Sequence, residues 1–297
     1  MKQNRLGQSQ LMVSEIGLGC MSLGTDEQQV KRIIDEALDL GINFLDTADI
    51  YDSGMNEELV GKAIGGKRNQ VILATKVGNR RVPGQDGWSW DASKAYILNA
   101  VKNSLQRLKV DYIDLYQLHG GTIEDNIDET IEAFEQLKQE GIIREYGISS
   151  IRPNVIREYI NRSNIVSVMN QYSIVDRRAE EEVLDQLAEH HISVIARGPL
   201  ASGALAANRE PNKGYLDYEL DELHVLRKQL MQIHPNLTQL AIRYSLSHPA
   251  VAVAIPGART IEQLRSNAAA AQMTPLTAEE INLIRNFSKA NVYTAHR

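Results

Sequence analysis

The stretch Gly41-Ile-Asn-Phe-Leu-Asp46-Thr-Ala-Asp-Ile-Tyr51-Asp-Ser-Gly-Met-Asn-Glu-Glu-Leu-Val-Gly61 decides the fold of this chain. Residues 43–45 are predicted to form a short buried strand, which a glycine separates from the helix before it. Asp46 and Tyr51 follow that strand, and a second helix is expected to start at Asn56. In parallel α/β proteins the carboxyl ends of strands carry the chemistry. The stretch therefore predicts an active site just past a strand end.

The same alternation of strand and helix continues on both sides of this stretch. Continuous apolar strands between amphipathic helices indicate a parallel sheet that is covered on both faces. Eight such units predict an α/β fold, a (β/α)8 TIM barrel with an N-terminal β-hairpin at residues 4–13 and an extra C-terminal helix from Thr277. An open, doubly wound sheet is the alternative. The eight strands are predicted near residues 13–18, 43–45, 71–75, 111–118, 143–148, 165–169, 192–196 and 251–255.

Two local patterns add detail to this architecture. Thr25 is expected to cap the first helix, because Gln28 follows at the spacing of a capping box. Residues 201–235 are predicted to be a long irregular connection of the kind that often forms a lid. Within it, the acidic segment 217–222 is interpreted as a solvated helix face. No low-complexity segment interrupts the pattern, so residues 1–297 are predicted to form a single domain.

Composition limits the classes of partner. The net charge of -6 and the pI near 5.7 argue against a nucleic-acid or anionic-membrane surface. The single cysteine, Cys20, cannot form an internal disulfide, which fits a reducing compartment. The chain has no apolar run long enough for a signal peptide or a membrane span. We therefore expect a cytoplasmic protein.

Four polar side chains follow successive strands and should converge on one rim of the barrel. Lys76 comes directly after an apolar run, and a buried ammonium needs a carboxylate, which Asp46 on the neighbouring strand can supply. A cation beside a phenol lowers its pKa from the reference value of about 10, so Tyr51 is predicted to be a proton donor. His119, at the end of the fourth strand, can hydrogen-bond the same substrate oxygen.

The motifs around these side chains closely resemble those of the aldo-keto reductase superfamily over nearly the whole chain. The resemblance implies a barrel that passes hydride from NADPH to a carbonyl carbon while Tyr51 protonates the oxygen, without a metal or a covalent intermediate. The matching motifs are Phe44-Leu45-Asp46-Thr-Ala-Asp-Ile-Tyr51, Ala74-Thr75-Lys76, Asp114-Leu-Tyr-Gln-Leu-His119, and Ile255-Pro256-Gly257-Ala258-Arg259 continuing to Asn267.

The resemblance also implies which residues bind the nicotinamide and pyrophosphate. Ser150 stands where the family has asparagine. Arg197 stands where many members stack a tyrosine on the nicotinamide, and a guanidinium can also stack flat on that ring. The implied residues are Gly19, Cys20 and Met21 under the nicotinamide, Ser149, Ser150 and Gln171 at its carboxamide, Arg197 at the ring, and Gly198, Pro199, Leu200, Ser202 and Gly203 along the pyrophosphate.

At the adenosine end the resemblance implies Gly257, Ala258, Arg259, Gln263 and Asn267. Arg259 lies at a helix start, where a guanidinium and backbone donors together suit a phosphate monoester. We therefore predict NADPH in preference to NADH, although Gln263 replaces an arginine that some relatives use.

The resemblance further implies that the substrates are small aldehydes and ketones, including reactive aldehydes such as methylglyoxal, and that the protein is a monomeric enzyme of detoxification. Trp88 and Trp90 either line the pocket or are exposed loop residues.

A cofactor-binding regulatory subunit, as in potassium-channel β-subunits, is one alternative function. A metal-dependent barrel hydrolase using Asp46 and His119 is another, but the chain lacks the His-x-His pair expected for it.

Overall fold

Eight parallel strands form a closed barrel in the computed structural model, which describes residues 1–81 and 87–297. The first and last strands meet because Ile16 bridges Ala254 and Gly19 bridges Gly257, both in parallel register. This closure confirms the predicted TIM barrel over the open, doubly wound sheet. The barrel strands, numbered here in chain order, are Leu18–Gly19, Phe44–Asp46, Ile72–Val77, Ile113–Leu118, Ile143–Ser149, Ser167–Gln171, Ser193–Arg197 and Val251–Ile255.

The helices form a ring around the barrel. Consecutive helices pack against each other from the first to the sixth and from the seventh to the ninth, and the first helix also contacts the ninth, where the sheet closes. Among the described residues the helices are α1 Glu27–Asp39, α2 Met55–Ala63, α3 Lys94–Leu108, α4 Ile127–Gln139, α5 Pro153–Arg162, α6 Val183–Glu189, α7 Leu220–Ile233, α8 Leu237–Ser245, α9 Ile261–Ala268 and α10 Ala278–Phe287. None of them is long and apolar enough to cross a bilayer.

The predicted N-terminal hairpin closes the amino end of the barrel. Gln3–Arg5 pairs with Met12–Ser14 in antiparallel register. Leu6 and Leu11 from its turn are buried in the same apolar cluster as Phe44, which lines the barrel interior. Burying one such side chain stabilises the fold by about 1.5–3 kcal/mol. The carboxyl end of the barrel is therefore the end that remains for a site.

Two predicted helix starts are wrong. Helix α1 is capped by Asp26, whose Oδ1 accepts the backbone N–H of Gln29 at 2.8 Å, and not by Thr25. Helix α2 begins one residue before Asn56, whose side chain is buried instead of capping. Its amide Nδ2 donates to the Cys20 carbonyl at 2.9 Å and its Oδ1 accepts from Thr47 at 2.7 Å. Tertiary hydrogen bonds thus bury a residue type whose local propensity favours the N-cap position of a helix.

Two predicted element boundaries also differ from the structure. The strand expected at residues 13–18 is divided, because Met12–Ser14 belongs to the hairpin and Leu18–Gly19 to the barrel. The connection 201–235 is not irregular throughout, since it contains α7. The acidic segment forms the start of α7, where Glu219 and Glu222 make a capping box.

Candidate active site

A fully buried lysine lies at the centre of the carboxyl rim. The Lys76 Nζ donates to Asp46 Oδ2 at 2.7 Å, to the Thr47 carbonyl at 2.7 Å and to the Tyr51 hydroxyl at 3.3 Å. The lysine is 0% exposed. These three acceptors match the three protons of an ammonium, which makes its burial tolerable. The predicted grouping of Asp46, Tyr51 and Lys76 is therefore present.

Lys76 remains positively charged despite its burial. Burial is the largest influence and by itself lowers the pKa of Lys76, but the Asp46 carboxylate and then Tyr51 together raise the pKa above its ordinary value. Gln117 adds a long contact to the other Asp46 oxygen, with Nε2 to Oδ1 at 3.5 Å. The hydroxyl of Tyr51 is therefore in contact with a positively charged ammonium.

His119 completes the group as a neutral ring. Its imidazole meets the Tyr51 ring edge-on, with centroids 5.9 Å apart and planes at 83°. Burial, followed by repulsion from Lys76 and Arg197, lowers the pKa of His119 to about 3. Its Nδ1 is buried and has no hydrogen-bond partner among the described residues. A neutral imidazole of this kind can donate one hydrogen bond to a substrate oxygen and carries no charge near neutral pH.

The backbone after Tyr51 is strained. Asp52, Ser53 and Gly54 lie in the left-handed region, with φ values of 47°, 60° and 92°. For each of the two non-glycine residues this costs on the order of 1–2 kcal/mol. A side chain at Gly54 would also meet Arg107, whose Cδ lies 2.9 Å from the Cβ position. The turn joins the phenol directly to α2, without an extended loop.

Sequence reasoning missed a buried polar network beside this turn. Glu57 is fully buried and accepts from Thr75 Oγ1 at 2.5 Å and from Arg107 Nε at 2.7 Å. Burial, and then the nearby Glu57, raises the pKa of Asp49 to about 7. The Oδ1 of Asp49 is buried without a partner among the described residues. Both acids lie in the stretch that decides the fold, but their burial depends on Arg107, which is distant in sequence.

Trp90 lies at the mouth of the site, whereas Trp88 is 60% exposed. The Trp90 indole covers Gly78 and Gly120, where an added Cβ would lie 2.6 Å and 3.2 Å from its ring. Its Nε1 donates to Asp125 Oδ1 at 2.9 Å. Because Gly120 directly follows His119, this indole forms a wall beside the imidazole. Trp88 is therefore an exposed loop residue, whereas Trp90 packs beside the residue that follows His119.

The residues predicted for the carboxamide and ring of a nicotinamide share this rim. Ser149 ends the fifth strand, Gln171 the sixth and Arg197 the seventh. The Arg197 Nη1 donates to Gln171 Oε1 at 2.8 Å, and the Gln171 Nε2 donates to the Tyr215 hydroxyl at 3.0 Å. Tyr215 comes from the long connection before α7 and was not predicted. Gln171 therefore links Arg197 to Tyr215 at this rim.

The segment predicted for the pyrophosphate forms a tight turn after the seventh strand. Four of its residues have positive φ, namely Gly198 at 68°, Ala201 at 49°, Ser202 at 56° and Gly203 at 95°. Pro199 is buried, and Leu200 is half-buried. The turn brings Gly198 next to the Gln171 side chain, 3.8 Å from an added Cβ. Close approach of backbone to a phosphate group suits such a glycine-containing turn.

The residues predicted for the adenosine end lie across the seam of the barrel from the first strand. Gly19 pairs with Gly257, and a Cβ at Gly257 would lie 2.4 Å from Ser22 Oγ. The Asn267 Nδ2 donates to the Gly257 carbonyl at 3.1 Å. The shape thus requires glycine on the last-strand side of the seam. Of the neighbouring predicted residues, Cys20 and Ala258 are buried and Met21 is 65% exposed.

Arg259 is exposed at the start of α9. Its backbone N–H donates to Gln263 Oε1 at 2.8 Å, and its carbonyl accepts from Gln29 Nε2 at 2.6 Å. Gln263 therefore acts on the backbone of Arg259 in this structure. The guanidinium is the part of this segment that is available to meet a phosphate monoester.

Comparison with known proteins identifies the family. The family model described as "Aldo/keto reductase family" matches residues 15–289. "Uncharacterized oxidoreductase YqkF" of Bacillus subtilis is 58% identical over 306 residues, covering 100% of both chains. "Aldo-keto reductase YhdN" of the same species is 33% identical, covering 90% of this chain and 87% of that one.

A solved structure has almost the same fold. The holo form of aldo-keto reductase AKR11C1 from Bacillus halodurans is 59% identical and has a TM-score of 0.97, covering 100% of this chain and 99% of that one. The family model spans most of the barrel and includes all four central side chains. The chain therefore belongs to the aldo/keto reductase family and is an oxidoreductase.

Proposed function

We propose that this protein reduces small aldehydes and ketones with NADPH and that Tyr51 is the proton donor. The observation that carries the proposal is the 3.3 Å contact between the Tyr51 hydroxyl and a buried ammonium. The other two protons of that ammonium are directed at Asp46 and the Thr47 carbonyl. When bound, a reduced nicotinamide supplies the hydride that the carbonyl carbon accepts.

Each of the four side chains has a distinct part in this proposal. Tyr51 gives its proton to the carbonyl oxygen, so that carbonyl, hydride and proton together yield an alcohol. The Lys76 ammonium donates to the phenolate oxygen that remains and stabilises its charge. Asp46 holds the ammonium in place, and the neutral ring of His119 donates a hydrogen bond that orients the carbonyl.

The cofactor assignment depends on side chains at the nicotinamide end and at the adenosine end of the predicted cofactor site. Ser149, Ser150 and Gln171 offer hydroxyl and amide groups to a carboxamide, and Arg197 offers a flat surface to the ring. At the other end, the exposed guanidinium of Arg259 suits a 2′-phosphate, which supports NADPH over NADH.

The test is a spectrophotometric screen of NADPH oxidation across aldehydes, including methylglyoxal, on wild type and Tyr51→Phe. Removing a positioned general acid should lower kcat by roughly 10²–10⁴-fold while cofactor affinity stays unchanged. Tyr112→Phe is a matched control, because that tyrosine precedes the fourth strand at the opposite end of the barrel. Retained turnover in Tyr51→Phe would refute its assigned role.

The same screen addresses the two alternatives. Tight NADPH binding without turnover of any carbonyl in the wild type would favour a regulatory subunit. For the hydrolase alternative, no group of three His, Cys, Asp or Glu side chains in residues 1–81 and 87–297 is arranged to hold a metal ion. The structure thus gives that alternative no support.

A further inference from the structure

The C-terminal tail, residues 288–297, runs back across the rim that carries the proposed site. Arg177, in the connection after the sixth strand, donates from its backbone N–H to Asn291 Oδ1 at 2.8 Å. Asn154, in the first turn of α5, donates from its backbone N–H to the His296 carbonyl at 2.9 Å. The tail therefore spans the connections that follow the fifth and sixth strands.

One tail side chain is buried beneath this crossing. Tyr293 is 5% exposed, and its hydroxyl donates to Asn170 Oδ1 at 3.2 Å. The guanidinium of Arg178 lies 5.1 Å from the centroid of the Tyr293 ring, and two 2.8 Å contacts to Asp176 fix that guanidinium in turn. Burial raises the pKa of Tyr293 to about 12, so its hydroxyl remains a donor at physiological pH.

Asn170 connects this tyrosine to the strand ends of the site. It is fully buried beside Gln171, and its Nδ2 donates to the Ser150 carbonyl at 2.9 Å. An asparagine amide can be turned end for end, because its two ends have nearly the same shape. The Ser150 carbonyl can only accept a hydrogen bond, so it takes the NH₂ end of this amide, and the Tyr293 hydroxyl donates to the oxygen end that faces the tail.

We infer that Tyr293 is a positioning residue for the nicotinamide end of the cofactor site, acting through Asn170 on Ser150. The inference rests on the proposed function, because Ser150 matters only if a nicotinamide carboxamide binds there. It makes the last residues of the chain part of the cofactor-binding machinery, although they follow the helix that ends the fold.

The test compares two ligands that differ only at the nicotinamide end, NADPH and 2′-phospho-ADP-ribose. One lost hydrogen bond to a buried neutral group should raise the Kd of NADPH about twofold to tenfold in Tyr293→Phe. The Kd of 2′-phospho-ADP-ribose should not change. Asn170→Ala should show the same selective loss, and combining it with Tyr293→Phe should add nothing, because both act on one contact.

Tyr218→Phe is the matched control. Tyr218 is 4% exposed, and its hydroxyl accepts the backbone N–H of Lys289 at 2.5 Å, so it anchors the start of the tail without touching Asn170. This variant should bind both ligands as the wild type does. Unchanged NADPH affinity in Tyr293→Phe, or equal losses for both ligands, would overturn the inference. Wild-type protein that binds 2′-phospho-ADP-ribose and NADPH equally weakly would refute the proposed function itself.

Discussion

Replacing Lys76 by methionine would separate the structural role of its ammonium from the chemical role. Methionine has nearly the same length and no charge, so it fills the space without opening a large cavity. The substitution removes the 2.7 Å contact to Asp46 Oδ2 and leaves that carboxyl buried with a single 3.5 Å contact from Gln117. The variant therefore contains a buried acid that has lost its nearest cation.

The cost of this change follows from the chemistry of the carboxyl group. The buried acid can take up a proton. For a group with a reference pKa of about 3.9, this protonation costs about 4 kcal/mol at pH 7 and about 1.5 kcal/mol at pH 5. The loss grows with pH because the unfolded chain releases this proton above about pH 4, whereas the folded variant keeps it. The figure at pH 7 agrees with the roughly 3–5 kcal/mol lost when one partner of a buried pair is removed.

The assay is urea unfolding at pH 5 and pH 7, together with carbonyl reduction. Combining Lys76→Met with Asp46→Asn leaves no buried charge, so it should recover most of the lost free energy of unfolding. It should not recover turnover, because Tyr51 still lacks the ammonium, and kcat should stay about 10²–10⁴-fold down. As a control, Lys67→Met breaks an ion pair with Asp35 that is about a third exposed and should cost less than about 1 kcal/mol.

Three results would refute this reasoning. Turnover that returned in the double variant would show that Lys76 serves only to neutralise Asp46. A single variant with nearly wild-type turnover would show that the ammonium has no part in proton transfer. A destabilisation equal at pH 5 and pH 7 would contradict the origin assigned to the energy.

Three further outcomes are expected. Arg259→Ala should weaken NADPH binding roughly 10- to 100-fold and NADH binding far less, and equal losses would remove the 2′-phosphate role. Because burial holds the pKa of His119 at about 3, the pH profile of kcat/KM should show no His119 limb between pH 5 and 8; a limb near pH 6.5 that vanished in His119→Gln would contradict this. The buried carboxyl of Asp49 titrates near pH 7 in the folded chain and near pH 4 when unfolded, so stability falls as pH rises through that window. Asp49→Asn should therefore gain on the order of 2 kcal/mol at pH 8 and nothing at pH 4, measured by urea unfolding.

The barrel and its central side chains could be predicted because both are encoded locally. Each strand is a short apolar run, and Asp46, Lys76 and His119 each lie at the end of one. Closure of a parallel barrel brings all strand ends to one rim, so adjacency in space follows from position along each strand.

What could not be predicted depends on partners far apart in the chain. Tyr215 reaches Gln171 from a connection whose path no local pattern specifies. Tyr293 becomes buried only because Arg177 and Asn154 hold the tail across the rim. The prediction of the α1 cap was wrong for a different reason, since Thr25 and Asp26 are adjacent and both are good capping residues. Competition between such neighbours is decided by fractions of a kcal/mol.

The seam between Gly19 and Gly257 has a consequence for how this protein is made. The four side chains proposed for proton transfer are all synthesised by residue 119, whereas Gly257, the partner of Gly19, is synthesised much later. A nascent chain on the ribosome thus carries Tyr51 and Lys76 long before it can form a dinucleotide-binding site. Prematurely terminated products should accordingly be inactive, since they contain the reactive groups but lack the last strand of the barrel.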